Sequence, residues 1–325
     1  IRLNIDHWSI YKIAKELHRP YNTINKEVQN GTVYLYNGKV KRYKPDIAEQ
    51  KYKDKRANSK RNYRCLECVE FLNYVVEMFN KKGWSLDASV GYAQKNNLFS
   101  TDEMVCTKTL YNYVDLGILP IKNIDLPEKL KRNTKSSSTR KSRKILGKSI
   151  EERPETVNLR EEFGHWEIDS VLGKKKDTEP AIMTIVERQT RMSLWIKIKD
   201  HSSMAIDEAL QSLINRFGTK KSEVFKCITG DNGSEFTNLS NIENNGISVY
   251  FTHPYTSCEK GTNECHNKML RRFIPKGKSI DDYSAEDILF FSDVINELPR
   301  KILNYHTPRN CLIIGWTEYM LLKCL

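Results

Sequence analysis

Trp166-Glu167-Ile168-Asp169-Ser170-Val171-Leu172 decides how the second half of this chain is read. Apolar and polar side chains alternate from Trp166 to Asp169, the period of a strand with one buried face. Working outward, Ala181–Glu187 and Met192–Lys199 repeat the pattern and are rich in Ile, Val and Trp, so two further strands follow. Ala205, Ala209, Leu213 and Phe217 then recur at helical spacing. Val224–Thr229 and Ser248–Thr252 read as a fourth and a fifth strand, and helices near 262–273 and 285–298 close the segment. Strands, a helix, a strand and more mixed elements make a compact α/β domain.

The first half is patterned differently. Ile10, Ile13, Ala14 and Leu17 form one helical stripe, and His18-Arg19-Pro20 breaks it. The next segment turns Ile24 and Val28 inward and leaves Asn22, Thr23, Asn25 and Lys26 outward. Two short helices with a polar second face suit a recognition helix in a DNA major groove. Residues 39–64 hold eleven Lys or Arg, Lys41 and Arg42 among them, interleaved with Tyr43, Tyr52 and Tyr63, and read as a basic linker. Leu66, Val69, Leu72, Val76 and Phe79 start a second helical unit. Its last helix, capped by Thr107 with Lys108 beside it and Leu110 and Val114 inward, resembles another recognition helix. From Lys129 to Lys148 nine basic residues, including Lys131 and Arg132, occur with no acid, the composition of a flexible linker.

Charge supports this division. The 325 residues carry 53 Lys and Arg against 41 Asp and Glu, a net +12. Residues 1–160 hold 32 basic and 18 acidic side chains, whereas 161–325 hold 21 and 23. A basic arm joined to a near-neutral domain points to nucleic acid. No apolar run approaches the roughly 18 residues of a membrane span, and no signal segment opens the chain. Of eight cysteines only Cys65 and Cys68 form a CxxC pair, so free thiols in a reducing cytoplasm are expected rather than zinc.

Three carboxylates carry the chemistry. Asp169 lies on the first strand, Asp231 just past the fourth in Thr229-Gly230-Asp231-Asn232-Gly233, and Glu264 at the start of a helix. Without a cation between them they repel one another, and hard oxygen ligands of this kind suit Mg²⁺. Two such ions can clamp the attacking and leaving oxygens of a phosphodiester. Lys268 and Arg271 follow Glu264 on one helical face, with Arg272 beside them, and can track a DNA backbone. Glu167, two residues from Asp169 on the same strand face, can support the metal shell or be structural. Glu259 is the rival third carboxylate but falls before the helix; Glu187, Glu235 and His266 are lesser candidates, with structural roles favoured.

Three motifs carry a family resemblance: Gly164-His165-Trp166-Glu167-Ile168-Asp169-Ser170-Val171, Ile228-Thr229-Gly230-Asp231-Asn232-Gly233-Ser234-Glu235-Phe236 and Lys260-Gly261-Thr262-Asn263-Glu264. Arg271–Gly277 and Leu298-Pro299-Arg300 extend it. The chain resembles bacterial insertion-sequence transposases of the DDE, retroviral-integrase-like superfamily, and within them the insertion-sequence-thirty family. The resemblance implies a multidomain protein: N-terminal all-α helix-turn-helix units plus an α/β RNase H-like (integrase-like) catalytic domain. The expected boundaries are helix-turn-helix at 1–38, basic linker at 39–64, a second helical DNA-binding domain at 65–128, flexible linker at 129–158, catalytic domain at 159–309 and an atypical tail at 310–325. It implies a triad of Asp169, Asp231 and Glu264 holding two Mg²⁺, with Mn²⁺ as the substitute. It further implies double-stranded DNA as partner (inverted repeats and target), a homodimer or higher oligomer, no membrane, and the bacterial cytoplasm as the compartment. Cys258-Glu259-Lys260 and Cys265 depart from the family pattern of Trp-Glu-Arg and Arg. With the missing initial Met and the unusual ending, they suggest a truncated or frame-shifted copy. A catalytically inactive repressor and a metal-dependent nuclease are the alternatives.

Overall fold

The computed structural model describes residues 2–58, 63–127, 129, 146–174, 179–253 and 257–314. They fall into two compact units, one within 1–66 and one within 67–325.

In the first unit, α1 (Ile10–Glu16) starts at Ser9, whose hydroxyl accepts from the Lys12 amide, and α2 (Tyr21–Gly31) starts directly after Pro20. This helical pair matches expectation, but the unit is not all-α. Thr32–Leu35 (β1) and Val40–Tyr43 (β2) form an antiparallel hairpin, and Pro45–Asn58 form α3. The basic run at 39–64 is therefore a strand and a helix over most of its length. Two features explain the difference. Tyr36, Asn37 and Gly38 take left-handed backbone angles (φ 51°, 55° and 89°), the turn that Asn-Gly favours between β-branched and aromatic residues. Close packing then fixes α2 on α3. Ala48 is fully buried, and a Cβ on Gly31 would lie 2.4 Å from the Tyr43 ring. The Asn4 side chain donates to the Tyr43 carbonyl and accepts from its amide, completing the hairpin edge.

The second unit begins with α4 (Val69–Lys82), α5 (Leu86–Lys95) and α6 (Thr107–Asp115), packed through Phe71, Leu72, Val75, Leu86, Leu110 and Val114. The N-cap of α6 is Cys106, not Thr107, and it makes no side-chain cap bond. Thr107 instead donates to Asp87. Helix α5 also packs on the far end of the chain. A Cβ on Gly91 would fall 2.1 Å from the Tyr305 ring, and Lys95 donates to the Asn304 carbonyl at 2.7 Å. The helices at 65–128 and the α/β segment thus share one unit.

Beyond them, residues 146–158, expected inside a flexible linker, are folded. Ser149 bridges Phe251, and α7 (Glu155–Leu159) buries Val157. Residues 130–145 and 315–325, the rest of that linker and most of the tail, lie outside the described residues.

A five-stranded sheet forms the centre. Strands β3 (His165–Leu172), β4 (Ala181–Glu187) and β5 (Ser193–Ile198) are an antiparallel meander, and β6 (Cys227–Gly230) and β7 (Ser248–Phe251) lie parallel to β3 on its other side. The spatial order is β5-β4-β3-β6-β7. The expected fourth strand starts late, because Val224 ends a short helix, α9 (Lys221–Val224), where its carbonyl accepts from the Trp166 indole. Alternation splits the core between the two faces. Ile168, Met183 and Ile185 pack with Ile206, Leu210 and Ile214 of α8 (Ser203–Asn215). Val171, Ile182 and Trp195 pack with Leu270 of α10 (Gly261–Phe273) and with Ile288 and Ile295 of α11 (Ala285–Asn296). Asp169 shares the strand face of Val171, so it looks toward α10.

Candidate active site

Sheet register brings the first two carboxylates together. β3 and β6 are paired in parallel as His165 to Cys227, Trp166 to Ile228 and Glu167 to Thr229. Continuing that offset sets Asp169 level with Asp231, just past the carboxyl end of β6. This crevice beyond the strand ends is where open α/β sheets present their ligands.

One cation joins the pair. The Lys260 ammonium lies 3.3 Å from Asp169 Oδ1 and 3.3 Å from Asp231 Oδ2, and donates to the Ile168 carbonyl at 3.0 Å. The expectation of carboxylates with no compensating cation is thus corrected. Burial raises the Asp169 carboxyl above the ordinary range; Lys260 opposes that shift and the charge of Asp231 adds to it. Asn267 orients Asp169 by donating from Nδ2 to Oδ2 at 2.7 Å. Asp231 accepts from the Gly233 amide at 2.9 Å, so it serves as a turn residue as well.

Glu264 stands on the first turn of α10, half-buried and without a hydrogen bond or ion pair among the described residues. No three His, Cys, Asp or Glu side chains among the described residues are gathered closely enough to hold a metal ion. The structure therefore links Asp169 with Asp231 through Lys260, and no hydrogen bond or ion pair among the described residues ties Glu264 to them. The donor chemistry still fits a hard cation: two carboxylates converge on one positive charge, and the Lys260 ammonium takes that position.

The other candidates are each held by neighbouring groups. Glu167 is fully buried, bound by Arg188 and by the Asn263 amide at 2.9 Å. Glu187 accepts from the Thr190 amide and hydroxyl and from Gly164, fixing the β4–β5 turn. Glu259 holds His253 at 2.8 Å. Glu235 meets His201 at 3.3 Å and Ser170 at 3.2 Å, on the opposite face of β3.

His266 is buried in α10. The Arg300 guanidinium reaches His266 Nε2 at 2.7 Å, the Arg191 carbonyl lies 3.1 Å from the same nitrogen, and Nδ1 meets the Thr262 carbonyl at 2.8 Å. Burial, then the neighbouring Arg300, push its pKa down to about 3. The unfolded chain therefore binds the extra proton between that value and the ordinary 6.5, so stability rises with pH across this window and levels above it. Between pH 6.5 and 5 we expect a loss of about 2 kcal/mol from this group, measured by urea unfolding. A His266 ring that titrates near 6.5 by NMR would contradict the assignment.

Of the expected DNA contacts, Asn22, Thr23 and Lys26 are exposed on α2 and Asn25 is half-buried. Lys41 and Arg42 are exposed on β2, Lys108 is exposed at the start of α6, and Thr107 is half-buried. Lys268 and Arg272 are exposed on α10, whereas Arg271 turns back to donate to the Leu172 carbonyl at 2.8 Å. Lys131 and Arg132 lie outside the described residues. Sequence reasoning did not single out the arginines around Glu167. Arg153, Arg160 and Arg188 line a cleft of about 500 Å³ that His253 and Glu259 also border.

No described helix is long and apolar enough to cross a membrane. Residues 160–257 match the integrase core domain family. A probable transposase of the insertion-like sequence IS1161 from Streptococcus salivarius is 45% identical over 203 residues, 62% of this chain and 57% of that protein. The present chain thus spans little more than half the length of that relative. Transposase InsI of element IS30A from Escherichia coli K12 is 27% identical over 321 residues, 94% of this chain and 79% of that protein. The transposase of IS4351 from Bacteroides fragilis is 32% identical over 236 residues, 70% of this chain and 68% of that protein. With a core domain match that contains Asp169 and Asp231, one relative 32% identical and covered over 68% of its length, and another aligned over 94% of this chain, the chain belongs to the insertion-sequence-30 family of transposases.

Proposed function

We propose that this chain cuts and joins DNA at the ends of a mobile element, with Asp169, Asp231 and Glu264 as its acidic centre. The observation that carries the reading is the convergence of Asp169 and Asp231 on one cation at the end of the β3–β6 pair. Asp169 and Asp231 would hold Mg²⁺, with Glu264 from α10 completing the set and Mn²⁺ as the substitute. Bound there, the metal would neutralise phosphate charge and lower the pKa of an attacking water. Asn267 keeps one oxygen of Asp169 turned away from Lys260, and the Gly233 amide does the same for Asp231. Both carboxylates therefore have one oxygen fixed and one presented inward.

The α1–α2 pair, with Asn22, Thr23, Asn25 and Lys26 on its second helix, and α6, with Thr107 and Lys108, are the proposed readers of the inverted repeats. Lys41, Arg42, Lys131, Arg132, Lys268 and Arg272 would neutralise backbone phosphates. Holding two ends together requires a homodimer or a larger assembly, acting on DNA in the bacterial cytoplasm. A DNA-binding protein without catalysis is the second reading.

The test is nicking of a labelled duplex ending in the element's inverted repeat. We expect a free 3′-hydroxyl in Mg²⁺ and none after EDTA, with binding retained in both. Equal nicking with and without chelator would overturn the metal-dependent reading.

A further inference from the structure

Lys260 is not explained by the proposed chemistry. It is 5% exposed, and its ammonium donates to the Ile168 carbonyl and lies 3.3 Å from both Asp169 Oδ1 and Asp231 Oδ2. The ring of Phe236 lies 5.5 Å from the same nitrogen. A buried ammonium paired with two carboxylates is a cation site already filled. Two acids brought this close without a positive charge between them would be costly.

We infer that Lys260 is a placeholder: its ammonium holds Asp169 and Asp231 in register when no metal is bound, and a divalent ion must displace it to enter. The inference rests on the reading of Asp169 and Asp231 as metal ligands. Lysine suits the role because its charge is a point on a flexible four-carbon stem. Its position suits it too. Lys260 is the N-cap of α10, with an irregular backbone (φ −112°, ψ 36°). Gly261 follows it, and a Cβ built there would meet nothing within 4 Å. Glu264 stands on the next turn of the same helix, so movement at Lys260 and completion of the acidic set would be linked. The cost of displacing Lys260 lowers the apparent affinity for metal.

The test uses the full chain without DNA and follows Mn²⁺ uptake by the loss of the free-ion EPR signal. We expect Lys260→Met to bind Mn²⁺ at least tenfold more tightly than the wild type, Lys260→Arg to bind no more tightly, and Asp231→Asn to lose the site. In metal-free buffer Lys260→Met should melt below the wild type and recover when Mn²⁺ is added. A second measurement needs no variant. Acetylation of Lys260, read by mass spectrometry, should be slow in metal-free wild type and accelerate in Mg²⁺. If Asp231→Asn lowers Mn²⁺ binding but Lys260→Met does not raise it, and Lys260 stays protected in Mg²⁺, the placeholder role is wrong and the metal centre stands. If no Asp231-dependent uptake occurs in any variant, the metal centre itself fails and the inference falls with it.

Discussion

Asp231→Asn should reduce nicking at the element end by about 10³-fold or more while leaving repeat binding within about twofold, the pattern of a residue that acts only in the chemical step. The amide has the shape of the carboxylate and can still accept from the Gly233 amide, so the Asp231–Gly233 turn is retained. What is lost is one of the two charges that face Lys260. Asp169→Asn should behave alike, though its carboxylate is more buried and also accepts from Asn267. Gel-shift titration and single-turnover nicking on one labelled duplex separate the two effects. A variant that binds tenfold more weakly and nicks in proportion would assign Asp231 to DNA binding instead.

Glu167→Ala should cost about 3–5 kcal/mol of stability, the penalty for leaving one member of a buried ion pair alone. Glu167 is fully buried and faces Arg188, itself 5% exposed. The surroundings make that arginine hard to leave unpaired. Arg188 disfavours the charged forms of Arg153, Arg160 and Arg191, beyond what burial does to each. Glu167 also receives the Asn263 amide at the start of α10, so its loss loosens the helix that carries Glu264 and Asn267. Urea unfolding followed by tryptophan emission measures the change, and Glu167→Gln, which keeps hydrogen-bond capacity, should lose less. A loss below about 1 kcal/mol for Glu167→Ala would show that the arginines are neutralised elsewhere.

Much of the sheet was legible because its signal is local. Runs rich in Ile, Val and Trp mark Trp166–Leu172, Ala181–Glu187 and Ser193–Ile198 as strands, packing on both faces keeps Ala181–Glu187 largely apolar, and the structure places all three within a residue or two of expectation. Asp169 and Asp231 come level because β3 and β6 pair in parallel, which the sequence does not state. The N-terminal hairpin was misread for a physical reason. Its basic composition suggested a solvated linker, whereas Asn37-Gly38 and the buried Ala48 decide the structure. The cap of α6 was placed one residue late, because Thr107 is the better capping residue in isolation but its hydroxyl is spent on Asp87. Lys260 was illegible. The sequence shows only a lysine before a helix, and its acceptors lie 29 and 91–92 residues away in the chain. The arginine cluster was hidden in the same way, since tertiary packing alone brings Arg153, Arg160 and Arg188 to one cleft.

The most direct measurement is strand joining: purified protein, a labelled duplex ending in the element's repeat with its 3′-hydroxyl exposed, a target plasmid and Mg²⁺. We expect covalent transfer of label to the plasmid, abolished by EDTA, by Asp169→Asn and by Glu264→Gln. Tight, salt-sensitive binding of the repeat with no joined product in Mg²⁺ or Mn²⁺ would contradict it and leave a DNA-binding protein without the chemistry.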